Sequence, residues 1–150
     1  MVETMKGKIT AVCISDTKGV RKTPCQSGVF LENYGMENDA HAECGIKRQV
    51  SLLSVDSIEK MKNMGLNVGP GDFAENLTVE GIELYTLLPG TKLAVGGKVI
   101  LEISQIGKAC HTGCAIFKEV GKCIMPKEGV FAKVVKGGEV RTDDPVEIIT

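Results

Sequence analysis

The 150-residue chain has no tryptophan, two tyrosines and four phenylalanines, while it has eighteen glycines. So few aromatics and so many glycines suit short strands joined by tight turns better than a helical bundle. A charge excess of either sign is also missing. Eighteen Lys and Arg against nineteen Asp and Glu leave a net charge of −1, which excludes a general electrostatic footprint for nucleic acid or a membrane surface and leaves only local basic patches. No apolar run approaches the roughly 20 residues needed to cross a bilayer. The first eight residues carry Glu3, Lys6 and Lys8 and no apolar stretch, so they do not read as a secretory signal, and the expected compartment is the cytoplasm. Several catalytic signatures are absent too. No Walker loop occurs, no G-x-G-x-x-G follows a strand, and no G-x-S-x-G elbow is found.

What remains is ordinary globular material, 43% hydrophobic and 25% charged. It is long enough to bury about 68–70% of its unfolded surface in a single domain over residues 1–150. Lys8–Ser15 is rich in β-branched residues and predicts a first strand. Val20–Pro24 reads as extended, because Pro24 disfavours helix at Thr23, and Gly28–Glu32 as another short strand. Asn33 to Lys47 is polar and aperiodic, a loop of a length that is usually functional. Gln49–Leu53 predicts a buried strand. A helix over 55–64 follows, with Ser54 and Asp56 as capping candidates and Gly65 at its C-terminal stop. Leu77–Val79 and Ile82–Leu84 read as strands. Two Gly-Gly pairs, Gly96-Gly97 and Gly137-Gly138, predict hairpins between Lys92–Val95 and Lys98–Ser104 and between Val130–Lys136 and Glu139–Thr142. Cys114–Val120 reads as a short second helix and Val146–Ile149 as a closing strand. Eight to ten strands with one or two small helices predict a mainly β, barrel-like fold.

The chemistry concentrates at Gln105–Cys114, where a strand hands over to a glycine-containing loop with Lys108, Cys110, His111 and Cys114. A thiol reacts or ligates as thiolate, and Lys108 or His111 would favour that anion at Cys110. The alternative is that Cys110 and Cys114 pack as small buried hydrophobes. Cys13 lies mid-strand and reads as structural; Cys25 and Cys44 sit in loops. A zinc site competes: Cys110, Cys114 and Cys123 with His111 or His41 supply enough ligands, but the paired C-x₂-C knuckle is missing. Asp39-Ala40-His41 either orients an imidazole or is a solvated loop. Arg21-Lys22 and Lys47-Arg48 either bind a phosphate or are solvated charges. In Gly71–Leu77, the Asn76 amide either meets a planar heterocycle or satisfies its own backbone.

In their order along the chain, these segments resemble the MOSC domain, the family named after the C-terminal domain of the molybdenum-cofactor sulfurase. The matching stretches are Asn33-Tyr34-Gly35 through Asp39-Ala40-His41-Ala42, Arg48–Leu53, Pro70–Thr78, Leu101–Gln105 running into Cys110, and Gly129–Val134 with Lys136-Gly137-Gly138. They span about residues 6–149, as in the small members with no attached aminotransferase-like or ferredoxin domain. Where the family's loop often reads Gly-Asp, this chain has Asn38-Asp39; where close relatives carry an aromatic–His pair before the arginine, it has Ile46-Lys47.

The resemblance implies a β-barrel-like fold and handling of a pterin-based molybdenum cofactor (molybdopterin). It implies that Cys110 is catalytic as a sulfur carrier, holding a persulfide for cofactor sulfuration or metal–sulfur assembly, or else is a molybdenum ligand. Asp39, His41, Arg48, Asn76 and Lys108 are the expected cofactor contacts. Pyridoxal phosphate belongs to the companion desulfurase domain and is not expected in this chain. The partners implied are a cysteine desulfurase and a molybdoenzyme or redox partner, with no nucleic acid and no membrane. Two further readings stand beside sulfur transfer: a molybdenum-dependent reductase of N-hydroxylated compounds, and a non-catalytic cofactor-binding module.

Overall fold

Alternation of aliphatic residues builds the frame. The computed structural model describes residues 6–17, 20–107 and 125–149, with Met125 and Pro126 described by their backbone alone. Its strands are β1 (Lys6–Ile14), β2 (Thr23–Cys25), β3 (Ser27–Leu31), β4 (Gly35–Met36), β5 (Val50–Ser54), β6 (Leu77–Glu80), β7 (Lys92–Val95), β8 (Val99–Ile106), β9 (Val130–Lys136), β10 (Gly138–Arg141) and β11 (Pro145–Ile149). Seven of them close a barrel in the order β11-β7-β8-β9-β5-β6-β1, with β1 pairing back to β11 and β2 added outside β1. A ring of seven strands cannot close with every neighbour antiparallel. The one parallel pair is β5–β6, and the crossover that a parallel pair needs contains helix α1 (Val55–Asn63).

Val99, Leu101 and Ile103 of β8 and Val130, Ala132 and Val134 of β9 point inward, joined by Ile9, Val12, Leu52, Leu77, Val79, Leu93 and Val146. A three-stranded sheet, β10-β3-β4, adds Phe30, Met36 and Val140 to that same interior. A second cluster lies outside the barrel wall, where Ile58 and Met61 of α1 pack on Leu53, Phe73 and Phe131. β5 is therefore buried on both faces, which explains its unbroken apolar run.

The hairpin at Gly96-Gly97 forms with both residues at positive φ, 64° and 76°. At the end of α1, Gly65 takes φ 94°. Its N–H donates to Lys62 and the Leu66 N–H to Met61, the reciprocal pattern of a glycine stop. Three expectations are corrected. Gly137-Gly138 is not a hairpin, since β10 pairs with β3 in the other sheet. A Cβ on Gly137 would lie 2.5 Å from the Phe30 carbonyl oxygen, so this glycine permits a close crossing between sheets. Ile82–Leu84 is not a strand but leads into a 3₁₀ turn at Leu84–Thr86; Ile82 and Leu84 are apolar because they are buried in the interior, not because they pair. Ser54 does not cap α1 with its side chain. Its hydroxyl donates to the Ile82 carbonyl and accepts from the Leu84 N–H, both at 2.9 Å, holding that 3₁₀ turn in place. The suggested helix at Cys114–Val120 lies outside the described residues. Among those described, no helix is long and apolar enough to cross a membrane.

Candidate functional site

The outer wall beyond the end of β1 carries buried polar groups. Asn38 takes φ 70°, a left-handed conformation Asn tolerates, and it turns Asp39 back under the loop. The Ala40 N–H donates to the Ser15 carbonyl, and the Ser15 N–H to Asp39 Oδ1 at 3.1 Å, so the loop is stitched to the strand end. Asp39 Oδ2 accepts the His41 N–H at 3.1 Å. Lys22 Nζ reaches the same place from the β1–β2 connection, 2.8 Å from Asp39 Oδ1 and 2.9 Å from His41 Nδ1. The side chains of Lys22 and Asp39 are 0% exposed, whereas that of His41 is 30% exposed. Burial alone would push the Asp39 carboxyl up, but the Lys22 ammonium and the two N–H donors together hold it below the usual carboxylate range.

The sequence predicted Asp39 and His41 as neighbours and missed Lys22 between them. The signal was there: in an extended segment successive residues face opposite sides. Arg21-Lys22 thus splits into a surface arginine 3.8 Å from Asp72 and a buried lysine. A Cβ on Gly71 would lie 2.2 Å from the Lys22 carbonyl oxygen, so Gly69–Asp72 lies directly over this segment.

Two more titratable groups are buried nearby. Burial, reinforced by the Glu75 carboxylate, pushes the Cys13 thiol up to about 12; it stays protonated, as a structural cysteine should. Burial likewise pushes Glu75 up to about 7, although its carboxylate accepts the Phe73 N–H at 3.2 Å and the Thr78 hydroxyl at 3.0 Å. Asn76 is fully buried. Its Oδ1 accepts the Ser51 N–H at 3.1 Å and the Ser51 hydroxyl at 3.2 Å, and its Nδ2 donates to the Cys13 carbonyl at 3.2 Å. The amide thus joins β1, β5 and β6. Among the described residues, no buried side-chain nitrogen or oxygen lacks a partner.

Arg48 is exposed, with its guanidinium 5.7 Å from the centre of the Phe131 ring, a cation–π arrangement that limits its freedom. The Ser104 hydroxyl bonds to the Lys47 carbonyl and, at 3.1 Å, to the Phe131 carbonyl. Residues 47–48 are therefore fixed against the end of β8, from which the chain continues through Gly107 toward Cys110. A Cβ on Gly35 would come within 2.6 Å of the Gln49 carbonyl oxygen and 3.1 Å of the Ala42 Cβ. The absence of a side chain at Gly35 thereby lets the residues beside His41 and beside Arg48 approach closely. Lys108, Cys110, His111, Cys114 and Cys123 lie outside the described residues. Among the described residues, no group of three His, Cys, Asp or Glu side chains could hold a metal.

A sequence profile of the MOSC domain matches residues 39–147. Comparison with curated proteins finds no match. The fold is similar to that of solved structures. The YuaD protein from Bacillus subtilis is 19% identical, with a TM-score of 0.79 over 99% of this chain and 98% of that one. YiiM from Escherichia coli is 19% identical, with a TM-score of 0.70 over 97% of this chain and 70% of that one. YiiM from Geobacillus stearothermophilus is 16% identical, with a TM-score of 0.68 over 96% and 75%.

Proposed function

The chain belongs to the MOSC domain family, and on that premise we propose that it carries sulfur as a persulfide on Cys110 for a molybdenum–pterin cofactor. The family itself implies a role related to that cofactor. The observation that most supports the finer reading is Arg48, fixed over Phe131 at the end of the strand that runs on to Cys110.

The described residues fit an anionic, phosphate-bearing pterin in a particular way. Asn76 and Asp39 are committed to the frame, and Lys22 is buried between Asp39 and His41. Arg48, which is exposed, and His41, which is partly exposed, are the groups at the surface that would meet the ligand. When bound, the cofactor supplies the metal centre that accepts sulfur. In the loading step, the Cys110 thiolate attacks the outer sulfur of a donor persulfide. A new S–S bond forms on Cys110, the donor's S–S bond breaks, and the donor leaves as a thiolate. The donor would be a cysteine desulfurase and the eventual recipient a molybdoenzyme.

Intact-mass measurement tests this. After incubation with a cysteine desulfurase and cysteine, the protein should gain the mass of one sulfur atom, and Cys110→Ser should gain none. Uptake by Cys110→Ser at another site would overturn the assignment. Tightly held molybdenum with no sulfur uptake, in protein from a cofactor-competent host, would replace it with the reductase reading, Cys110 then being a metal ligand.

A further inference from the structure

We propose that Ser104 is a positioning residue: from a bulge in β8, its hydroxyl presets Arg48 over Phe131, so that an already ordered guanidinium meets the phosphate of a ligand. This rests on the reading above, in which Arg48 meets an anionic ligand, and names what holds the arginine ready for it.

The ladder between β8 and β9 pairs Ile103 with Ala132 and then Gln105 with Phe131. Ser104 is the extra residue, so that two residues of β8 oppose one of β9. The same slip shows in the side chains. They alternate in a regular strand, yet Ile103 is buried in the barrel interior and Ile106, three residues on, packs against it too. The two residues between them are left to the outer side. Gln105 Nε2 donates to the Gly107 carbonyl at 2.8 Å, where the chain leaves for Cys110. The Ser104 hydroxyl reaches the Lys47 carbonyl and, at 3.1 Å, the Phe131 carbonyl. The Lys47 carbonyl belongs to the peptide that carries the Arg48 N–H. One hydroxyl therefore ties the Arg48 backbone to the residue whose ring its guanidinium overlies, 5.7 Å from the ring centre. On the far side of Arg48, Gln49 is fully buried; it accepts the Val134 N–H at 3.0 Å and donates to Asn33 Oδ1 at 2.9 Å. Arg48 is thus held through both chain neighbours while it stays exposed. An arginine gives up rotamer freedom when it grips a phosphate, and one already held gives up less. Ser104 acts on the ligand only through Arg48.

Nitrogen-15 relaxation at the Arg48 Nε of the full-length protein measures this restraint without a ligand, and loss of the signal in Arg48→Lys assigns it. The Nε should be ordered in the wild type, looser in Ser104→Ala, and ordered again in Ser104→Thr, which keeps the hydroxyl. Equal order in wild type and Ser104→Ala would overturn the proposal. Inorganic phosphate serves as the ligand probe. It should shift the Arg48 Nε–H signal and bind about tenfold more weakly to Ser104→Ala (on the order of 1.4 kcal/mol), with Ser104→Thr near wild type. Arg48→Lys keeps the charge but loses the planar fork. In that background Ser104→Ala should cost no further affinity, and a second tenfold loss would show that Ser104 acts elsewhere. The wild type alone decides two points: a loosely ordered Nε, or an Nε–H signal unmoved by phosphate, would sink the proposal without any variant. Sulfur loading is read separately by intact mass. Failure of uptake while these results hold would remove the carrier reading alone, and uptake with Arg48 indifferent to phosphate would remove this one alone.

Discussion

Two ion pairs brace the outer wall, and both have a shortest contact of 2.8 Å. Lys22–Asp39 is entirely enclosed, with both side chains 0% exposed. Lys60–Glu128 ties α1 to the chain that returns into β9, and its lysine is 48% exposed. In the second pair the Glu128 carboxylate also accepts the Ser57 hydroxyl at 2.6 Å. Lys60 also meets the Tyr85 hydroxyl at 3.1 Å and lies 4.7 Å from the centre of its ring. Distance alone would rank the pairs equal. Solvent decides otherwise: water screens the exposed cation and will rehydrate either partner if the other is lost, while an enclosed charge left alone has nothing to replace its partner. The buried pair is thus a structural commitment and the exposed one an adjustable brace.

The sharpest way to break this comparison is to remove one buried charge. Lys22→Met should destabilise the protein by about 3–5 kcal/mol, read by urea denaturation near neutral pH. Lys22→Met/Asp39→Asn should recover part of that loss; if the single variant unfolds no more easily than wild type, the enclosure argument fails. The pair also sets an acid limb. The carboxyl of Asp39 is held below its ordinary value in the folded state, so its contribution is present above the ordinary carboxylate range and is lost as pH falls through the folded value.

Glu75 has the opposite sign and a somewhat smaller expected effect. It is buried without a counter-ion of its own on the scale of Lys22, and its carboxyl is raised from 4.5 to about 7. The native state therefore holds the proton more tightly than the unfolded chain does. Stability is full below about 4.5 and declines as pH rises toward 7, by on the order of 3 kcal/mol at most. Glu75→Gln should flatten that slope and unfold at higher urea than wild type at pH 8. A wild-type stability that is level between pH 5 and 8 would show that the Phe73 and Thr78 hydrogen bonds offset burial.

The barrel interior was legible in the sequence because it follows a single rule. Val99, Leu101 and Ile103 alternate, and they line the core as alternation predicts. The same rule misled at Ile82 and Leu84, where burial without pairing carries the same spacing as a strand. Gly137-Gly138 misled because a glycine that permits close approach and a glycine that reverses the chain look alike in one dimension. The outer wall was harder to read. Asp39 and His41 were visible as neighbours two apart, but Lys22 joins them from seventeen residues away from Asp39. Asn76 drew notice for its unusual context, and the structure shows its amide bonded to Ser51 and Cys13. A polar residue's partner is fixed by tertiary topology, which residue type and spacing do not encode.

The smallest expected effect belongs to Lys60→Met, and it tests which force the exposed brace relies on. The Glu128 carboxylate foremost, with the Tyr85 hydroxyl, holds the Lys60 ammonium above its usual value, so the contact is electrostatic in part. Its stem and charge also lie over the Tyr85 ring, which a methionine can partly replace. A charge-based brace should weaken as salt shortens the Debye length from about 10 Å at 0.1 M to about 3 Å at 1 M. The denaturation midpoint of Lys60→Met should therefore lie slightly below wild type at low salt and merge with it at 1 M salt. The midpoint of Lys22→Met should stay displaced at both, since salt does not reach an enclosed pair. If Lys60→Met remains displaced at high salt, packing on Tyr85 and not charge is what the lysine contributes. The two pairs would then differ in kind of force and not only in degree of screening.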